Sequence, residues 1–174
     1  DTKLRPLLLS AMTTANHEGA MNEALTRFDK FITDEQENNI SPDIRLSIYK
    51  TVVRERGEVG YHQIFNRLQA ASNTSDFNEF SRCMYALAFA KDPSLIKTTL
   101  EMSLSPIIRS QDTVYLIREV SRNPYGVDVT WDFVRDNYDA IVAKAGQRTV
   151  SSRLITGITS RFTTRTKYDE VKNF

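Results

Sequence analysis

Apolar residues recur along this chain at helical spacing. Phe77, Phe80, Met84, Leu87 and Ala88 fall at i, i+3, i+7, i+10 and i+11, on one stripe of a helix. Val127, Trp131, Val134, Tyr138, Ile141 and Val142 do the same over about four turns, which predicts one continuous helix. Val150, Leu154, Ile158 and Phe162 step by four, and Tyr168, Val171 and Phe174 step by three. None of these stretches keeps the alternation of period two that a half-buried strand needs. The pattern predicts an all-α fold of roughly ten helical segments.

The punctuation between stripes supports that division. Ser41-Pro42 and Asp92-Pro93 each place a capping side chain before a proline, whose missing N–H is harmless in the first turn of a helix. Asp76 and Glu79 have capping-box spacing, with a carboxylate in place of the hydroxyl. Gly57, Gly60 and Gly146 sit where stripes stop, and Asn123-Pro124-Tyr125-Gly126 reads as a turn. Taken in pairs, the helices begin near residues 5, 41, 76, 112 and 149, about 36 residues apart, the size of one helical hairpin in stacked repeats. No residue signature recurs across the five units. The expectation is a curved α-solenoid of about five helical hairpins, of the HEAT or armadillo kind, with a closed bundle as the alternative.

Composition narrows the function classes. The 174 residues suit one helical domain spanning 1–174, or a fragment of a larger protein. Six glycines and five prolines are about half the usual share, which disfavours a turn-rich sheet protein. Lysine plus arginine (23) nearly balances aspartate plus glutamate (22), so no global field recruits nucleic acid. The longest apolar run, Ala86 to Ala90, is far below the ~20 residues of a membrane span, and no signal peptide opens the segment. Neither nucleic acid nor direct membrane contact is expected of it. The single cysteine, Cys83, excludes an internal disulfide and a cysteine zinc cage. Asn39-Ile40-Ser41 and Asn73-Thr74-Ser75 make Asn39 and Asn73 candidate glycosylation sites if the protein is exported.

Catalytic chemistry finds little purchase here. A zinc-protease helix needs two histidines one turn apart around a glutamate, but His17-Glu18-Gly19-Ala20-Met21 puts methionine at the second ligand position, and His62 is remote. Ser47-Ile48-Tyr49-Lys50 and Ser94-Leu95-Ile96-Lys97 match S-x-x-K without its companion motifs. No glycine-rich phosphate loop occurs. The expectation is a segment with no catalytic, metal-binding or cofactor-binding residues of its own. The most basic part runs from Lys144 to Lys172, where seven cations face only Asp169 and Glu170. It is either a solvated face or an electropositive lining for peptide carboxylates or an acidic neighbouring domain.

The C-terminal half carries a resemblance. Ile107-Ile108-Arg109-Ser110-Gln111-Asp112, Ser121-Arg122-Asn123-Pro124-Tyr125-Gly126, Thr130-Trp131-Asp132-Phe133-Val134-Arg135-Asp136-Asn137-Tyr138 and the run from Ser152-Arg153-Leu154-Ile155 through Thr159-Ser160-Arg161-Phe162 to Phe174 resemble the C-terminal helical domain of the zinc aminopeptidases. That family includes endoplasmic reticulum aminopeptidases, aminopeptidase N and oxytocinase-like enzymes. Ile40-Ser41-Pro42-Asp43, Ala90-Lys91-Asp92-Pro93 and Arg5-Pro6-Leu7 extend the likeness over nearly the whole chain.

The resemblance implies a non-catalytic piece of a larger enzyme whose zinc lies in a preceding catalytic domain, which would be this segment's intramolecular partner. Gly19-Ala20-Met21-Asn22-Glu23 looks like the family's GAMEN loop with its last two letters exchanged, but it falls in the second helix and is read as coincidence. The family's C-terminal domain closes over the catalytic domain and encloses the chamber that admits peptide substrate. The resemblance makes Arg148 and Arg153 the candidate cavity-facing or interdomain contacts, Trp131 the family's buried tryptophan, and an extracellular or endoplasmic reticulum lumenal location more expected than a cytoplasmic one. The rival reading is a peptide- or protein-binding module of a catalytically inactive relative.

Overall fold

The computed structural model describes residues 4–174 and is built from helices, with no strand among the described residues. The all-α expectation holds. The helices are α1 (Leu4–Thr14), α2 (Glu18–Thr33), α3 (Pro42–Thr74), α4 (Phe77–Leu87), α5 (Pro93–Leu104), α6 (Ser110–Arg122), α7 (Val127–Asp136), α8 (Tyr138–Ala145), α9 (Gln147–Thr149), a π-helical turn Val150–Ile155, α10 (Thr156–Thr159) and α11 (Arg165–Lys172). They form two compact units that divide between Lys91 and Asp92, each with its own core. The hairpin expected from about residue 76 corresponds to α4 and α5, which fall in different units.

In the first unit α3 packs against α1, α2 and α4. Its core holds Phe28, Phe31, Ile48, Tyr49, Val52, Val53, Ile64 and Leu68, all essentially without solvent exposure. α3 is two helices joined at a single residue, because Gly57 takes φ 55° and ψ −130°, a conformation costly for any residue with a Cβ. The chain doubles back so tightly there that a Cβ on Gly60 would lie 2.3 Å from the carbonyl oxygen of Val52. Gly57 therefore ends a stripe as expected. Gly60 does not; it is buried inside the second helical half, where only a hydrogen fits.

Beside this core lies a buried carboxylate. Glu79 on α4 is 5% exposed and accepts from the Tyr49 hydroxyl, from Arg45 Nη1 at 3.0 Å, from Arg67 Nη2 at 3.1 Å and from Arg82 Nη1 at 3.3 Å. Three guanidiniums and a phenol thus surround one charge. Arg67 also holds Glu35 on the connection after α2, and it stacks 4.5 Å over the Phe31 ring. Burial alone would raise the Glu79 pKa, but hydrogen bonds from Tyr49, Arg45 and Arg67 outweigh it and hold the group below its ordinary value. The same burial, with the bond to Glu79, pushes the Tyr49 phenol up. The capping box is consequently half made. Asp76 Oδ1 accepts from the Glu79 backbone N–H at 3.0 Å, while the Glu79 side chain turns inward to the arginines.

The second unit is organised around α6, which contacts α5, α7, α8, the π-helical turn and α10. Val114, Leu116, Ile117 and Val120 of α6 are buried with Trp131, Val134, Ile141, Val150, Leu154 and Ile158. Trp131 is fully buried and meets the rings of Phe162 and Phe174 edge-on at 5.5 and 5.3 Å. Lys144 turns its ammonium onto the carbonyl oxygens of Ser103 (2.9 Å) and Ser105 (2.7 Å), capping the C-terminal end of α5.

Three expectations are corrected here. The helix expected from Val127 to Val142 is interrupted at Asn137 (φ −119°, ψ 21°), whose side-chain amide donates to the Phe133 carbonyl at 2.9 Å and separates α7 from α8. Phe77, expected on the buried stripe of α4, begins that helix and is 58% exposed. Tyr168 and Phe174 are 54% and 47% exposed and no residue of α11 is buried, so the final stripe does not belong to the core. Ser41 and Asp92 do stand at the starts of α3 and α5. The Asp92 carboxylate accepts from the Ser94 N–H at 2.7 Å, whereas the Ser41 hydroxyl donates to Asp43 and caps nothing.

Two tests follow from the first unit. Because folding holds Glu79 below its ordinary value of 4.5, its ionised form stabilises the fold above that pH. The contribution is lost as the pH falls through the lower folded value. Glu79→Gln should cost about 3 kcal/mol at neutral pH by leaving buried guanidiniums uncompensated. It should also flatten the decline in thermal midpoint between neutral and acid pH; an equally steep decline would count against the hub. Gly60→Ala should destabilise by about 2 kcal/mol in chemical denaturation, since the clash with a backbone oxygen exceeds the ~1 kcal/mol that alanine gains in helix propensity.

Candidate functional site

Arg148 and Arg153, the candidate contacts, lie in the second unit. Val150, Leu154 and Ile158 are buried at intervals of four. A strict α-helix over-rotates at that interval, and the wider i→i+5 turn from Val150 to Ile155 compensates, keeping all three on the core side. The opposite side of the same turn presents Ser151, Ser152 and Arg153 to solvent. Arg153 reaches across to α6, where its Nη1 donates to the Tyr115 hydroxyl at 3.0 Å. Tyr115 is itself exposed, one residue beyond the buried Val114.

Arg118 lies one turn along α6 from Tyr115, on the same face. Its side chain lies against Gly157, where a Cβ would fall 2.8 Å from Arg118 Nε. Gln147 adds a second polar link, its side-chain amide donating to the Tyr138 hydroxyl at 2.8 Å and to Ser151 Oγ at 3.2 Å. The face is thus made of guanidinium and hydroxyl groups on a backbone whose geometry the core dictates. Arg148 is exposed in α9 at the start of this run, with no salt bridge among the described residues. Arg153 joins Tyr115 and Arg118 in a shared setting, while Arg148 stands apart in α9.

The basic stretch from Lys144 to Lys172 does not act as one lining. Lys144 is engaged by carbonyls, and burial lowers its pKa. Lys167 bridges Asp128 (3.2 Å) and Glu170 (3.0 Å); burial would lower its pKa, and those two partners raise it above the ordinary value. Arg165 pairs with Asp169 at 3.3 Å. Arg148, Arg153, Arg161 and Lys172 are left outward. Sequence reasoning passed over Tyr115 and Arg118. The signal for them was weak, a tyrosine and an arginine three apart on the polar edge of α6, and only the fold shows that Arg153 and Gly157 meet them.

Other candidates take structural roles. His17 is the N-cap of α2, its Nδ1 accepting from the Ala20 N–H at 3.2 Å, and Gly19 to Glu23 lie within α2. His62 is exposed on α3, 3.7 Å from Glu58. Cys83 is buried, and burial pushes its thiol up to about 12, far from a reactive thiolate. Among the described residues no group of three or more histidine, cysteine or acidic side chains could hold a metal ion. No described helix is long and apolar enough to cross a membrane. Asn39 and Asn73 are both exposed. Asn39 lies in the connection before α3 with its Oδ1 accepting from Arg45 Nη2 at 3.0 Å, and Asn73 lies in the last turn of α3.

Comparison with known proteins agrees with this picture of a helical module. The model of a family described as ERAP1-like C-terminal domain matches residues 1–174. The chain is 30% identical over 177 residues to aminopeptidase M1-B of Oryza sativa subsp. japonica, covering 100% of this chain and 20% of the relative. It is 29% identical over 171 residues to aminopeptidase N of Bos taurus, with 95% and 17% covered. It is 25% identical over 176 residues to endoplasmic reticulum aminopeptidase 2 of Homo sapiens, with 100% and 18% covered. The chain spans about a fifth of the length of these relatives. Its two helical units, with the π-helical turn and the Trp131 core among them, are those of a chain that belongs to the ERAP1-like C-terminal domain family.

Proposed function

We propose that this chain is the non-catalytic C-terminal domain of a zinc aminopeptidase, and that it helps to enclose the chamber through which peptides reach the catalytic zinc. The match of all 174 residues to the C-terminal domain family carries this reading. In it the zinc and its catalytic residues belong to a part of the parent polypeptide outside residues 1–174, and a stack of helical hairpins shapes access and follows domain closure. The parent works at the extracellular face of a membrane or in the endoplasmic reticulum lumen, and its catalytic domain is this chain's partner.

Arg153 and Arg148 face the chamber or the domain junction. A guanidinium there holds a peptide carboxylate or an acidic loop by charge-assisted hydrogen bonds. The Arg153 contact to Tyr115 leaves the remaining N–H donors of the fork available and fixes the side chain's direction. Arg118, set against Gly157, adds a second charge to the same face.

In the full-length parent, the double substitution Arg148→Ala/Arg153→Ala should lower kcat/KM for long peptides about tenfold more than for a single aminoacyl amide. That is the scale of one charge-assisted hydrogen bond partly open to solvent. Equal losses on both substrates would remove the arginines from substrate handling. Residues 1–174 alone, supplied with zinc, should release no amino acid from an aminoacyl amide; intrinsic zinc-dependent turnover would overturn the assignment.

A further inference from the structure

Most cations described in the first unit are paired with acids. Arg45 and Arg82 hold Glu79, Arg67 holds Glu35 and Glu79, Arg56 holds Asp29, and Arg54 and Lys91 hold Glu55. The exception lies where α1, α2 and the connection before α3 meet. There Arg5, Arg27, Lys30, Glu37, Asn38 and Asn39 line a cavity of about 280 Å³. Arg5 and Lys30 have no salt bridge among the described residues. Arg27 is paired through its Nε to Glu23, at 2.6 Å, which leaves both of its Nη groups.

The supports of this cavity are fixed by local structure. Ala20, Ala24, Phe28 and Phe31 bury one face of α2, and Arg27 and Lys30, three residues apart, fall together beside it. The connection after α2 is closed by Asp34, whose Oδ1 accepts from the Gln36 N–H at 3.0 Å and the Glu37 N–H at 3.1 Å. Its far end is held by Arg45, whose Nη2 donates to the Ile40 carbonyl and to Asn39 Oδ1, each at 3.0 Å. Arg45 is itself anchored on Glu79, so the core sets this wall. With its oxygen engaged, Asn39 has its amide N–H pair left to offer the cavity. Three cations thus face one carboxylate, Glu37, which pairs with none of them. Asp43, within the field of Arg5, is held by the Ser41 hydroxyl and does not line the cavity.

We infer that this cavity is a binding site for a phosphate group, carried as inorganic phosphate or on a small ester. At neutral pH such a group approaches two negative charges, which matches the excess of positive charge in the lining. Its oxygens radiate to several sides, as donors arriving from two helices and a loop require. The guanidiniums of Arg5 and Arg27 and the ammonium of Lys30 supply charge-assisted bonds, and Asn39 a neutral one. A lone carboxylate has two oxygens in one plane and leaves part of this lining unused. The volume lies just below the range of small-molecule pockets, roughly 300–1,000 Å³, so the ligand is small. The site uses no residue assigned to peptide handling and does not rest on the parent's activity.

Acylation of Lys30 in the full-length parent tests this. A neutral N-hydroxysuccinimide ester of acetic acid modifies accessible lysines, and mass spectrometry of the digest reads Lys30 and Lys97 separately. Lys97 is the reference, exposed on α5 and outside the cavity. Inorganic phosphate at about 10 mM, ten times a Kd of about 1 mM, should slow modification of Lys30 about tenfold relative to chloride of equal ionic strength. Lys97 should react alike in both salts, and Arg5→Gln/Arg27→Gln should abolish the protection of Lys30. Equal rates in phosphate and chloride would overturn the site. So would a Lys30 that is unreactive in chloride, an equal slowing of Lys97, or protection that survives the double substitution. Citrate acting at lower concentration than phosphate would overturn it in favour of a carboxylate ligand. Glycerol phosphate separates the two sources: protection at lower concentration than inorganic phosphate assigns the site to an ester, and the reverse order assigns it to the free ion. Peptidase activity is not read here, so a parent without turnover leaves the result intact.

Discussion

The first unit is organised by the cost of burying one negative charge. Glu79 is nearly inaccessible, and a carboxylate in such a place is tolerable only if its desolvation is offset on every side. Arg45 and Arg67 come from the two halves of α3, and Arg82 from α4 itself. The hub can therefore exist only when α3 is folded back at Gly57 and α4 is packed against both halves. The charge network specifies one arrangement of the helices. The apolar side chains of Ile48, Ile64 and Leu68 supply the driving force for burial without dictating it as narrowly.

The arginines do more than neutralise. Arg67 lies over Phe31, and Arg45 over the same ring at 5.2 Å, so the planar faces of the guanidiniums are spent on aromatic carbon while their edges hold oxygen. Lysine could supply the charge but not this division of face and edge. Through Glu35, Arg67 also fastens the connection after α2, and through Asn39 and the Ile40 carbonyl, Arg45 fastens its other end. Loop and core are thereby tied to the same two side chains.

Much of this was legible in the sequence. Helix class, the starts at Pro42 and Pro93, the turn at Asn123 and the buried Trp131 follow from local rules that tertiary structure respected. What could not be read depended on contacts distant in sequence or on backbone detail. Glu79 has the spacing of a capping residue, and nothing local says that arginines 34 residues before it and 12 before it will claim its carboxylate. Asn137 sits in a stripe that continues unbroken through it, so the apolar pattern cannot reveal that its amide ends one helix and begins another. The candidate face was half visible. Arg153 stood out through the family resemblance, whereas Tyr115 is separated from it by 38 residues and is joined to it only by the fold.

The π-helical turn has a consequence for how such a surface changes over generations. A π turn holds one more residue than the α-helical turn it replaces. Loss of one residue between 150 and 155 would restore a regular helix, whose tighter winding keeps the segments on either side nearly in phase. Val150 and Ile158 would then stand seven residues apart, on one side of the helix, whereas Arg153 would change its register to Tyr115. The extra residue of the turn is therefore carried by the polar face: a one-residue change of length here re-registers the exposed side chains, Arg153 included, while the core positions on either side keep their places.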